Sequence, residues 1–282
     1  MQGKSLLDIA DDGLVCPEVG VWAETKHRLV ELYASLFSTG MKGKWDKRAY
    51  VELYAGAGYS KVQDTSRVIP GSPLHALGVK HPFDKYVFCE ESTEKLDALK
   101  VRVKRHAPVA NVAYIQGDCD QRVADIIAGI PASSKGNTVL SLCFVDPCDI
   151  GIKFDTIRKL SQRRAPMDFV VLLAVYMDAV RNYDRYVSED SVKVDEFLGS
   201  KTWRERWNAA QQKPQPFPQF LATEFARSME SLGYRPAPLH TMKKVKASRP
   251  SLYYLAMFSR SERAYKFWDE VLKYSTKQRT LF

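Results

Sequence analysis

The sequence predicts an α/β fold in which a mainly parallel sheet carries helices on both faces and closes with an antiparallel hairpin. Three observations predict it. Short apolar runs alternate with helix-period segments from about residue 50 to 176, the pattern of strands buried on both faces and joined by crossover helices. One run ends in the glycine turn of VELYAGAGYS, and another, LSLCFVDPC, ends in Asp146-Pro147, both where an open sheet exposes its ligand crevice. Two further strand patterns, near 237–246 and at 251–258 (SLYYLAMF), follow each other at the end of the chain and read as a hairpin on the sheet edge.

Each element has its own reason. Trp22, Leu29, Leu32, Tyr33, Leu36 and Phe37 recur at helical spacing, so 21–39 is predicted to be an amphipathic helix. Strands are predicted at 50–55, 85–90, 111–116, 139–146 and 168–176, with helices at 72–79, 92–106, 120–129 and 153–163 and right-handed crossovers. Residues 59–70 read as loop. After 176 the chain becomes charged and helical, then proline-punctuated in KPQPFP, as an inserted or capping segment would be. A helix at 217–232 ends at Gly233. The organisation is therefore an N-terminal helical segment (1–40), a cofactor-binding core (41–176), a helical insertion (177–216) and a completion of the sheet (217–282).

Composition narrows the class. At 282 residues and 45% apolar content, the chain can bury a core without covalent staples. Cys16, Cys89, Cys119, Cys143 and Cys148 are odd in number and contain no C-x-x-C pair, which disfavours a disulfide framework and a zinc finger and fits a reducing cytoplasm. The longest apolar run, Phe169 to Met177, has nine residues where about 20 are needed to span a bilayer. No basic-then-apolar leader pattern opens the sequence, and the reading is a cytoplasmic protein without membrane contact. Forty-two Lys and Arg against 33 Asp and Glu give +9, which favours a polyanion partner such as RNA or DNA. The basic residues gather at Lys42–Arg48, Lys100–Arg105 and Lys243–Arg249; solvated faces are the alternative reading of such runs.

Candidate site residues lie at strand ends. Gly56 and Gly58 let the chain turn sharply and bring backbone N–H groups to a polar ligand. A dinucleotide fingerprint needs a third small residue, where Lys61 stands, and an acid about 20 residues on; Glu90 lies farther away, so NAD binding loses ground. Glu90 ends the strand YVFCE, where a carboxylate can accept hydrogen bonds from ribose hydroxyls; the alternative is a favourable charge at the following helix N-terminus. Asp118, in YIQGDCD, is an adenine-amine acceptor or a helix cap, a role Asp120 serves equally well.

WAETKHRLVELYASLF, VELYAGAG, IPGSPLHAL, YVFCEES, GDCDQRV, CFVDP, SLYYLAMFS and FWDEV together resemble the TcmP family, the partners of three-Cys-motif proteins, from about Trp22 to Val271. That resemblance implies a Rossmann-like class I methyltransferase sheet of seven strands and an S-adenosylmethionine pocket. On it, Glu52, Gly56 and Gly58 form the first cofactor motif, Ser72 lies near the methionine end, Glu90 is the ribose acid and Asp118 the adenine contact. Asp146-Pro147 starts the catalytic loop, and Trp22 and Lys26, one helical turn apart, set a ring and a cation over the pocket.

Amine methyltransferases of bases commonly carry Asp/Asn-Pro-Pro-aromatic at the fourth strand end, where the acceptor amine is held. Here the tetrad is Asp146-Pro147-Cys148-Asp149, so a stacking ring has to come from elsewhere, with Tyr59, Tyr176 and Tyr183 as candidates. A covalent Cys148 route would need an activated thiolate; a metal site is not expected. Two readings follow: a methyltransferase acting on a nucleic-acid amine, and a noncatalytic methyltransferase-like partner of a three-Cys-motif protein. The first expects Gly58→Arg to abolish cofactor binding without unfolding the chain.

Overall fold

In the computed structural model the described residues are 9–176, 178–188, 190–211, 215–246 and 251–277. Residues 247–249 of the third basic cluster lie outside them. A short strand β1 (Glu18–Val19) leads into helix α1 (Trp22–Met41), followed by β2 (Lys47–Glu52), β3 (Tyr59–Val62), β4 (Val68–Pro70), α2 (Ser72–Leu77), β5 (Lys85–Glu90), α3 (Thr93–His106), β6 (Val112–Gln116) and α4 (Val123–Gly129). The second half runs β7 (Val139–Val145), α5 (Phe154–Ser161), β8 (Met167–Leu173), α6 (Tyr183–Val187), α7 (Lys193–Leu198), α8 (Trp203–Ala210), α9 (Phe217–Ser231), β9 (Lys243–Lys246), β10 (Ser251–Phe258) and α10 (Glu262–Lys277).

Seven strands form the main sheet in the order β6-β5-β2-β7-β8-β10-β9. The first five of these are parallel, and β10 runs antiparallel to both β8 and β9. Strand β7 explains why the pattern is legible: all seven of its residues are buried. Leu140, Leu142 and Phe144 pack into the core under α1, α3 and α10, while Val139, Cys143 and Val145 face the opposite side, where Cys143 and Val145 join the core under α5, α7 and α9. A strand buried on both faces shows no polar alternation, only a continuous apolar run.

One expectation is corrected. Residues 59–70 are not loop: β3 and β4 pair as an antiparallel hairpin and β1 adds to β3 in parallel. The hairpin bends at Asp64, which adopts a left-handed φ of 59°. Strands of four and three residues are too short to display a period, so propensity alone could not separate them from a loop.

The described residues between 178 and 211 join the α9 side of the core rather than standing off it. Trp203 and Trp207 are buried, with the Trp207 ring 4.9 Å from Phe217 and 5.0 Å from Phe220. Beside them the buried Glu224 carboxylate is held by Arg206 and Arg227. Among the described residues, no helix is long and apolar enough to cross a membrane.

Candidate active site at the carboxyl edge of the sheet

The chain lays β2, β5 and β6 on one side and returns to lay β7 and β8 on the other, so the order reverses between β2 and β7. In open α/β sheets the crevice outside the strand ends at such a reversal is where ligands bind. The turn after β2 carries Gly56 and Gly58; the turn after β7 carries Asp146-Pro147.

At the ends of β5 and β6, backbone groups hold the acids. Glu90 Oε2 accepts the Gly56 N–H at 2.8 Å, and Oε1 accepts the Ser92 N–H at 3.0 Å. The Gly117 N–H reaches the Glu90 carbonyl at 3.0 Å, which ties the start of the Asp118 turn to the same strand end. Asp118 Oδ1 accepts the N–H groups of Asp120 and Gln121 at 2.6 and 3.2 Å. Asp120 instead reaches α5, accepting Thr156 Oγ1 at 2.5 Å. Of the two acids, Asp118 therefore caps its own turn.

The two glycines differ. Gly56 has φ 64° and a Cβ there would meet nothing within 4 Å, whereas Gly58, at φ 83°, would place a Cβ 3.0 Å from Leu99 Cδ1. Gly58 is thus a packing glycine against α3, and Gly58→Arg would disturb the fold itself, contrary to the sequence expectation. Gly56 is the glycine that opens onto free space.

A buried guanidinium fixes this turn. Arg102, fully buried, donates to the Ala57 carbonyl at 2.7 Å, the Val15 carbonyl at 2.9 Å and Asp12 at 2.6 Å, and stacks 4.3 Å over the Tyr59 ring. The Arg102 hydrogen bond holds the Asp12 carboxyl below its ordinary value, against the opposing effect of burial. Arg102 belongs to a basic run offered above for polyanion contact, as does Arg48, which is buried against the carbonyls of Ser38 and Pro82. Both arginines are structural.

Where β2 meets β7, Asp146 and Glu52 are held by side chains. Lys26 of α1 donates to Asp146 Oδ2 at 2.5 Å, with 14% and 13% of the two side chains exposed. Below them Glu52, wholly buried, accepts hydrogen bonds from Ser72 Oγ and from Tyr50 OH, the latter at 3.1 Å. Burial first, and the Asp146 charge with it, push Glu52 far above the usual carboxylate range despite those bonds, favouring the neutral acid. Ser72 and Glu52 thus engage each other beneath the edge. Trp22 lies over Gly20, where a Cβ would strike its ring, and packs against the α1-side core, leaving Lys26 as the member of that pair that reaches the edge. Cys148 sits beside Asp146; desolvation of the thiol, then the Asp146 charge, raise it above its ordinary value, which opposes a nucleophilic thiolate.

Sequence reasoning did not foresee three contacts here. Tyr50 could have been found, because it lies two residues before Glu52 on the same strand face. The pairing of Tyr176 OH with Lys244 Nζ at 2.8 Å and the bond from Ile150 N–H to Asp178 Oδ2 at 3.0 Å had no local signal. Two open concavities, of about 530 and 760 Å³, lie at the opposite, amino ends of the strands, beside Asp168 and beside Asn111, away from this constellation.

This strand order, with its antiparallel penultimate strand, is the mostly parallel, Rossmann-like α/β sheet with a closing hairpin that the sequence predicts. No protein-family model and no curated protein matches the sequence. Among solved structures, an O-methyltransferase from Bacillus cereus in complex with SAH is similar over 83% of this chain and 80% of its own, at 11% identity and TM-score 0.48. The O-methyltransferase TomG from Streptomyces achromogenes in complex with SAM is similar over 84% and 80%, at 12% identity and TM-score 0.47. Trm1 from Pyrococcus horikoshii with S-adenosyl-L-methionine is similar over 88% of this chain and 57% of its own, at 10% identity and TM-score 0.45.

Proposed function

We propose that the chain binds S-adenosylmethionine at the carboxyl edge of β2, β5 and β6 and transfers its methyl group to an amine of a nucleic acid. The observation that carries this reading is the Glu90–Gly56 hydrogen bond beside an open position at Gly56. It presents a fixed carboxylate next to backbone that a ligand can approach. Each Glu90 oxygen accepts one backbone N–H and keeps a second lone pair, which suits a ribose diol. Asp118 would meet the adenine amine and Gly58 would shape the turn. Glu52 and Ser72 would support the floor near the methionine end. The cofactor supplies an activated methyl group, so this chain's task is to position an acceptor near it.

Asp146, followed by Pro147, is the group to orient that acceptor amine, in the place where Lys26 now donates. The acceptor must displace or share the ammonium. The same ion pair, with the missing aromatic of the tetrad, also favours a second reading: a noncatalytic methyltransferase-like partner of a three-Cys-motif protein, in which Lys26 keeps the carboxylate closed. Transfer of tritiated methyl from S-adenosylmethionine to total RNA, DNA and cell protein separates the two. The enzyme reading expects label in nucleic acid, with Asp146→Ala retaining cofactor affinity and losing at least ~10-fold in transfer, the loss of one charged hydrogen bond. Cofactor binding without label in any pool supports the partner reading.

A further inference from the structure

We infer that Tyr176 is the proton acceptor of this site, its phenol oxygen held by Lys244, Tyr254 and Gln219 to take the proton that the acceptor amine gives up on methylation. The inference rests on the methyl-transfer reading and deepens it.

Tyr176 lies three residues past the end of β8, the strand beside β7, on the same carboxyl edge as Asp146. The two loops touch, since the Ile150 N–H after Asp146 bonds to Asp178 Oδ2 after Tyr176 at 3.0 Å. Asp146 is approached by Lys26 of α1, while Tyr176 is approached by Gln219 of α9 and by the β9–β10 hairpin. The two groups therefore flank the edge from opposite faces of the sheet.

The surroundings of the Tyr176 oxygen are donors. Lys244 Nζ lies at 2.8 Å, Tyr254 OH at 3.2 Å and the Gln219 amide nitrogen at 3.5 Å. An ammonium and an amide NH₂ can only donate, so the phenol oxygen is arranged to carry charge. Lys244 also sits 4.5 Å over the Tyr176 ring and 5.8 Å over that of Tyr254. Burial opposes the phenolate, and the hydrogen bonds from Lys244, Tyr254 and Gln219 with the Lys244 charge outweigh it, leaving Tyr176 below the ordinary tyrosine value. Tyr254 moves the other way, raised by burial and by its Tyr176 neighbour. Of this pair, Tyr176 is the phenol whose ionisation its neighbours favour.

Methylation of an amine leaves its nitrogen with one surplus proton. The Tyr176 phenolate takes that proton and becomes a neutral phenol, which releases it to solvent while Lys244 stays charged. Lys244 is a positioning residue, acting through the Tyr176 oxygen it bonds at 2.8 Å.

Near-ultraviolet phenolate absorbance followed against pH tests this without cofactor or acceptor. The wild type is expected to show one tyrosine ionising ahead of the rest, a step absent in Tyr176→Phe and moved up by about one pH unit or more in Lys244→Met, from which the stabilising charge is gone. Tyr254→Phe should keep the early step. Identical titrations of wild type and Tyr176→Phe overturn the inference. Calorimetric titration with S-adenosylmethionine should give equal affinity for wild type and Tyr176→Phe. A wild type that binds none removes the methyl-transfer reading, and the proton's source with it, whatever the phenolate titration shows.

Discussion

The two halves of the carboxyl edge are built differently. At the ends of β5 and β6, acids are held by backbone N–H groups a few residues to a few dozen away, as in Gly56 to Glu90 and Asp120 to Asp118. On the β7–β8 half, side chain meets side chain across long stretches of sequence: Lys26 and Asp146 are 120 positions apart, Tyr176 and Lys244 are 68 apart. A backbone-held acid is fixed by the strand order and cannot turn away. A side-chain pair can exchange partners, which on the proposed function would suit a half that admits and releases an acceptor. The difference teaches that contacts fixed by strand order and contacts free to exchange can share one sheet edge.

That contrast can be broken at the fixed half. Arg102 pins the glycine turn through Ala57 and the N-terminal segment through Asp12. Arg102→Met leaves the Asp12 carboxylate, 8% exposed, with Arg105 alone of its two guanidinium partners, and is expected to cost about 1.5–3 kcal/mol, the scale of hydrogen bonds to a charged group; denaturant unfolding measures it. Hydrogen exchange should quicken at residues 56–59 and remain unchanged in β8 and β10. The pH dependence has a definite sign. Because the folded Asp12 carboxyl lies below its ordinary value of 3.8, its contribution is present above about pH 4 and is lost as pH falls through the folded value. Wild-type stability should therefore fall more steeply in acid than that of Arg102→Met.

A smaller effect sharpens the comparison within one turn. Both glycines have positive φ, so alanine at either costs about 1–2 kcal/mol in backbone strain. Gly58→Ala must also move Leu99 and should be the less stable variant by thermal unfolding, while binding cofactor normally once folded. Gly56→Ala meets no atom of the chain and should lose cofactor affinity instead. The opposite assignment of the two losses would exchange their roles.

How much of this was legible follows from where the contacts run. Strands β7 and β8 were readable because double-faced burial writes an unbroken apolar run, and the observed bounds of β5, 85–90, agree with those predicted, whereas β2 lies at 47–52, three residues before its predicted 50–55, because it opens on the polar Lys47-Arg48. The β3–β4 hairpin was not readable, being too short to show alternation. The placement of Gly56, Glu90 and Asp146 at strand ends was readable because strand ends are marked locally by glycine, acid and proline. The burial of Arg102 was not: in sequence it sits in a run of cations, and only the docking of residues 12–15 and the glycine turn onto α3 consumes its charge. Tyr176 and Lys244 meet because Tyr254 pairs with Leu173 on one side and Lys244 on the other, a register that composition does not carry.

The central claim is that Glu90, held by Gly56, receives the cofactor's ribose. Isothermal titration of S-adenosylmethionine into wild type and Glu90→Ala, with circular dichroism to verify that both are folded, tests it most directly. The account predicts saturable one-site binding to the wild type and an affinity lower by roughly 10- to 100-fold in the variant, the equivalent of about 1.5–3 kcal/mol for hydrogen bonds to a charged group. Equal affinity in the two proteins, or no binding to the wild type, would contradict it.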